Sequence, residues 1–129
     1  MDKKIVVALA AAASLAGVIA TAPTASAEAS PPDCPKGNVC VWDSSVTGGP
    51  TVIRTEHNWY GSHTFGSNGG SVFNNGVRYP GADHIQVTWT FNGQTWDRCL
   101  HYNPGPGEYA IRGFASGVTI KSLVWRGEC

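Results

Sequence analysis

Charge is scarce in this chain of 129 residues: only 14% of positions are Asp, Glu, Lys or Arg, and nine basic side chains face nine acidic ones. With no basic stripe, phosphate-driven binding has no electrostatic footing, and nucleic acid is excluded as an expected partner. Long apolar runs are missing beyond the first twenty residues, so no membrane span is expected in the remainder. No stretch after that point carries the apolar period of an amphipathic helix of normal length. Catalytic signatures are absent too. There is no Gly-x-Ser-x-Gly elbow, no His-Glu-x-x-His, no P-loop and no dinucleotide glycine pattern. The histidines His57, His63, His84 and His101 lie outside any such setting. Glu56-His57 and Asp83-His84 are adjacent pairs, which on a strand point to opposite faces. An enzyme is not expected, and no cofactor is implied.

What is present begins with an export signal. Met-Asp-Lys-Lys is a short basic start, residues 5–20 are rich in Ala, Val, Leu and Ile, and Ala25-Ser26-Ala27 has the small-x-small form that a signal peptidase reads. Sixteen apolar residues are too few for a comfortable bilayer span. The expected organisation is a signal peptide at 1–27, a flexible Pro-containing leader at 28–33 and one domain at 34–129, secreted and monomeric. Without Lys3, Lys4 and Asp2 the nine basic and nine acidic groups become seven and eight, a formal charge of minus one.

All four cysteines, Cys34, Cys40, Cys99 and Cys129, lie beyond the cleavage site. An even count in an exported chain reads as two disulfides, and the spacings lack the short paired repeats of a structural zinc site. Three connectivities are possible. Pro35 and Gly37 between the first two cysteines favour a local Cys34–Cys40 ring, which leaves Cys99 with Cys129. Chain-entropy arithmetic gives about 2 kcal/mol for the first and about 3.5 kcal/mol for the second.

Short apolar runs alternate with Gly, Asn, Pro and Ser clusters, at 39–42, 51–54, 71–73, 84–91, 96–102, 109–111 and 118–125. Seven or eight short strands with glycine-rich turns predict an all-β sandwich or small barrel. The cleanest hairpin alternates Ile85, Val87, Trp89 and Phe91 with polar residues, then turns at Asn92-Gly93, a type I′ signal. Ser71-Val-Phe73-Asn-Asn-Gly76 is echoed about fifty residues later by Ser122-Leu-Val-Trp125-Arg-Gly127, which suggests a duplicated Greek-key unit. Residues 59–70 and 103–108 read as loops. Asn74-Asn75-Gly76 reads as a turn tolerating positive φ rather than a calcium site, because too few oxygen ligands assemble around it. No metal ligands are assigned.

The Cys34-Pro-Lys-Gly-Asn-Val-Cys40-Val-Trp42 start, its Thr47-Gly48-Gly49 turn and Ser71-Val-Phe-Asn-Asn-Gly76 resemble secreted actinobacterial peptidase inhibitors of the Streptomyces metalloproteinase inhibitor type, family thirty-six. The resemblance implies a βγ-crystallin-like Greek-key β-sandwich with two disulfides. It also implies a peptidase inhibitor whose partner is an extracellular, thermolysin-like metalloprotease. In that family a cysteine followed by an apolar residue forms a slowly cleaved bond on a clamped loop. The matching segment here is Arg98-Cys99-Leu100-His101, with Cys99 as tether and Leu100 as anchor. The family's second bridge closes within a few residues, whereas here no cysteine follows Cys99 until Cys129. Leu100 has a competing reading as a buried strand residue, and the loop Asn103-Pro104-Gly105-Pro106-Gly107 is the second candidate contact. The alternative function is a non-inhibitory binding or killer-toxin-like protein that meets a cell wall or membrane surface through exposed Trp59, Tyr60 and Phe65.

Overall fold

β-branched and aromatic residues at alternating positions build eight antiparallel strands in the computed structural model, which describes residues 26–129. They are β1 (Asn38–Trp42), β2 (Ile53–Thr55), β3 (Trp59–Thr64), β4 (Gly70–Asn75), β5 (His84–Phe91), β6 (Gln94–Leu100), β7 (Ala110–Phe114) and β8 (Thr119–Arg126). One sheet has the order β2-β1-β4-β7 and the other β3-β8-β5-β6. Each half of the chain therefore places its first, second and fourth strands in one sheet and lends its third strand to the other. That exchange relates the halves by a pseudo-twofold and is the βγ-crystallin-like Greek key. The echoed segments fall on β4 and β8, the fourth strand of each half. There is no helix among the described residues, and the expected signal peptide at 1–27 lies almost entirely outside them.

The facing sheet surfaces enclose Val39, Val41, Phe65, Val72, Ile85, Val87, Leu100, Ile111, Phe114, Ile120 and Leu123. Full burial of such a side chain contributes about 1.5–3 kcal/mol. A smaller cluster of Cys34, Cys40, Trp42 and Phe73, flanked by Tyr109, covers the outer face of the first sheet. This is why β1 and β4 are buried at every position. The bonded pairs are Cys34–Cys40 and Cys99–Cys129, with no free cysteine. The Asn92-Gly93 turn has positive φ at both residues, as a type I′ hairpin requires.

Three local expectations need correction. Residues 59–64, read as part of a loop, form β3, an exposed edge strand with a register shift between Tyr60 and His63. Gly61 and the polar residues around it hid the pattern, because an edge strand exposed on most positions has little apolar alternation to display. Asn74 and Asn75 are not turn residues. Both are fully buried in β4 without positive φ. The leader expected to be flexible is fastened at its start, where Glu28 contacts three residues of the second half.

Candidate functional site

The second half of the chain brings the expected contact residues to one end of the sandwich. β6 is the outer strand of its sheet, paired only with β5, so one row of its backbone groups has no strand partner. Arg98 is exposed on this strand and lies 3.5 Å from Glu108. Cys99 is half-buried and bonded to Cys129. Leu100 pairs with Ile85 and is 0% exposed. The side chain expected to anchor in a protease pocket is thus part of the core, since period-two alternation places it on the inner face. In this conformation no pocket can receive it.

Beyond β6 the chain forms a closed loop. The His101 N–H donates to the Glu108 carbonyl at 2.8 Å, and the Gly105 N–H donates to the Tyr102 carbonyl at 2.8 Å. Asn103 is buried, and its N–H donates to the Asn74 carbonyl. Pro104 and Gly105 are half-buried, whereas Pro106, Gly107 and Glu108 form an exposed tip. Gly105 and Gly107 both have positive φ, which side-chain-bearing residues rarely adopt. The loop has a fixed base and a glycine-shaped tip.

Two supports for this loop escape sequence reading. Asn74 of β4 donates its amide to the carbonyls of Asp83 and Leu100 and accepts the Gly76 N–H, stitching the end of β6 to the first half. Asn103 exchanges a pair of hydrogen bonds with the Glu28 backbone, receiving the Glu28 N–H and donating to the Glu28 carbonyl. The Glu28 carboxylate accepts from the Tyr109 hydroxyl and from Arg112. The Tyr109 hydrogen bond, aided by Arg112 and opposed by burial, holds the Glu28 carboxyl below its usual range, and the same bond pushes the Tyr109 phenol up. Partners 75 to 84 positions apart leave no local signal in a sequence.

The other candidate surface dissolves. Tyr60 is 69% exposed, but Phe65 is buried and Trp59 packs against the core. No flat patch of Trp59, Tyr60 and Phe65 exists. A cavity of about 410 Å³ lies elsewhere, lined by Glu56, His57, Asn58, Tyr79 and Trp125 among others.

Residues 27–81 match the family model of peptidase inhibitor family I36. The match covers less than half of the chain. The matched stretch spans β1 to β4, whereas the contact candidates at 98–108 lie beyond it. Nothing among curated proteins or solved structures matches the chain. The match to family I36 supports peptidase inhibition and a protease partner, and it suggests a protein that is not itself an enzyme. Two disulfides and an inhibitor family are consistent with an extracellular location.

Proposed function

We propose that this chain is exported and inhibits an extracellular, thermolysin-like metalloprotease through the segment 98–108. The observation that carries the reading is the closed loop 101–108, tied at its base by backbone hydrogen bonds and to Glu28 by Asn103. A loop already held in one shape gives up little entropy on docking. Its exposed Pro106-Gly107-Glu108 tip enters the protease cleft, and Arg98 on the edge strand contacts the rim. The bond between Cys99 and Leu100 is not the inserted element while Leu100 remains in the core.

Titration of thermolysin and of a serine protease with the purified protein tests this reading. Stoichiometric inhibition of thermolysin is expected, with little effect on the serine protease. Replacing the exposed tip residues together, Pro106→Ala with Glu108→Ala, is expected to weaken inhibition at least tenfold, about 1.4 kcal/mol, while leaving the circular dichroism spectrum intact. Absence of inhibition at micromolar protein, or full inhibition by the double variant, would overturn it.

A further inference from the structure

The open edge of β6 can be read residue by residue. Asn92-Gly93 is a two-residue type I′ turn, so the flanking Phe91 and Gln94 form a hydrogen-bonded pair. Bonded and non-bonded pairs alternate along an antiparallel ladder. Gln94, Trp96 and Arg98 therefore direct their backbone groups to β5, opposite Phe91, Trp89 and Val87. Thr95, Asp97 and Cys99 direct theirs to the open side, where those groups have no hydrogen-bond partner among the described residues. Residues 94–98 are all exposed, and Trp96 keeps 50% of its surface in solvent.

An open edge is a template for another strand, and a second copy of the same edge is the simplest one. Two copies related by a twofold axis run antiparallel, and only the outward residues can supply the hydrogen-bonded pairs. An axis at Asp97 sets two carboxylates directly opposite each other, and an axis at Arg98 sets two guanidiniums so; like charges in that position are destabilising. Both also slide the contact toward Cys99, where the loop tip, His84, His101 and Glu128 line a cavity of about 220 Å³. An axis at Thr95 carries Asp97 onto Gly93 of the turn and leaves only residues 94–96 paired.

An axis at Trp96 removes these conflicts. Thr95 then faces Asp97 of the second copy, hydroxyl against carboxylate, and Gln94 faces Arg98 of the second copy. Asp97 Oδ1 accepts from the Gln86 amide at 3.0 Å, which leaves Oδ2 for the hydroxyl. The two Trp96 side chains meet as a non-hydrogen-bonded pair, the closer kind of antiparallel pair. Trp89 is the ladder partner of Trp96 and paired residues share a sheet face, so the indoles of both copies form one row.

We propose that β6 is a self-pairing edge: two copies of this chain join antiparallel about Trp96 over residues 94–98, and their β3-β8-β5-β6 sheets become one. Arg98 is shared with the peptidase contact proposed above, and the rest of the strand is not. A contact limited to one short strand per copy belongs to the small, transient class of interfaces. The chain is therefore a monomer when dilute and a dimer when concentrated.

The test is sedimentation equilibrium of the purified, disulfide-bonded protein from micromolar to millimolar concentration. A monomer–dimer equilibrium is expected, with a dissociation constant on the order of 100 µM for a contact well under 1,200 Å². Trp96→Ser alters a half-exposed side chain and is expected to weaken association at least tenfold. Asp97→Pro removes an outward N–H that β5 does not use, a change that edge strands accommodate, and should give a monomer throughout with an unchanged circular dichroism spectrum. The register has its own readout. Residues in a non-hydrogen-bonded pair stand about 4.5 Å apart at Cα, within disulfide reach, so Trp96→Cys should oxidise to a covalent dimer while Asp97→Cys should not. A monomer mass at millimolar protein, undiminished association in Trp96→Ser, or faster cross-linking of Asp97→Cys than of Trp96→Cys would overturn the proposal. Because no protease enters these measurements, their outcome is independent of whether the protein inhibits one.

Discussion

The two halves share a topology and differ in how they are held. In the first, a bridge between cysteines six positions apart and the Trp42 and Phe73 cluster bury both faces of the central strands β1 and β4. In the second, β6 is an exposed outer strand beside the half-buried β5, and the bridge spans thirty positions to tie Cys129 back to β6. The family I36 match covers the first half, whereas the candidate contact loop and the histidine cavity belong to the second. A doubly covered sheet tolerates little change, while loops on a fixed scaffold can carry recognition. The first half reads as scaffold and the second as the working surface.

The sharpest contrast comes from removing each bridge in turn. Replacing Cys99 and Cys129 with Ser is expected to cost about 3.5 kcal/mol in urea unfolding, against about 2 kcal/mol for Cys34 and Cys40, because the longer loop gains more freedom in the unfolded chain. Equal or reversed losses would show that packing of Cys34 and Cys40 beside Trp42 outweighs loop length. Leu100→Ala comes next, at about 3 kcal/mol, as for other fully buried leucines. A loss below about 1 kcal/mol in that variant would return Leu100 to the surface and revive it as the inserted anchor.

The smallest effect concerns Glu28. The hydrogen bond from Tyr109, with Arg112, depresses its folded carboxyl pKa, so its stabilisation is present above the unfolded value of about 4.3 and is lost as pH falls through the lower folded value. The side chain is partly exposed, so the contribution stays under about 1 kcal/mol. Protection of the amides in residues 101–105, taken relative to their intrinsic exchange rates, should therefore fall as the medium is acidified, and Glu28→Gln should flatten that dependence. An unchanged profile in Glu28→Gln would mean that the backbone pair with Asn103 alone fastens the leader.

Much of the fold was legible because it is written in local chemistry. Ile85, Val87, Trp89 and Phe91 alternate, Asn92-Gly93 turns, and β5 begins and ends where the pattern does. The Ser71 and Ser122 echo located equivalent strands for the same reason. β3 was illegible because its exposed edge needs no apolar face, and Asn74 was misread because an Asn-Asn-Gly string looks the same in a turn and in a buried strand.

Sequence alone determined the all-β class, the doubling of the unit and the likeness to family I36, since alternation, turn residues and cysteine spacing act over a few positions. Only the tertiary structure decided which way Leu100 faces, that Asn74 and Glu28 support the loop, and that His84, His101 and Glu128 line one cavity. Those outcomes depend on contacts between distant segments, and their geometry exists only once the two sheets have closed on one another.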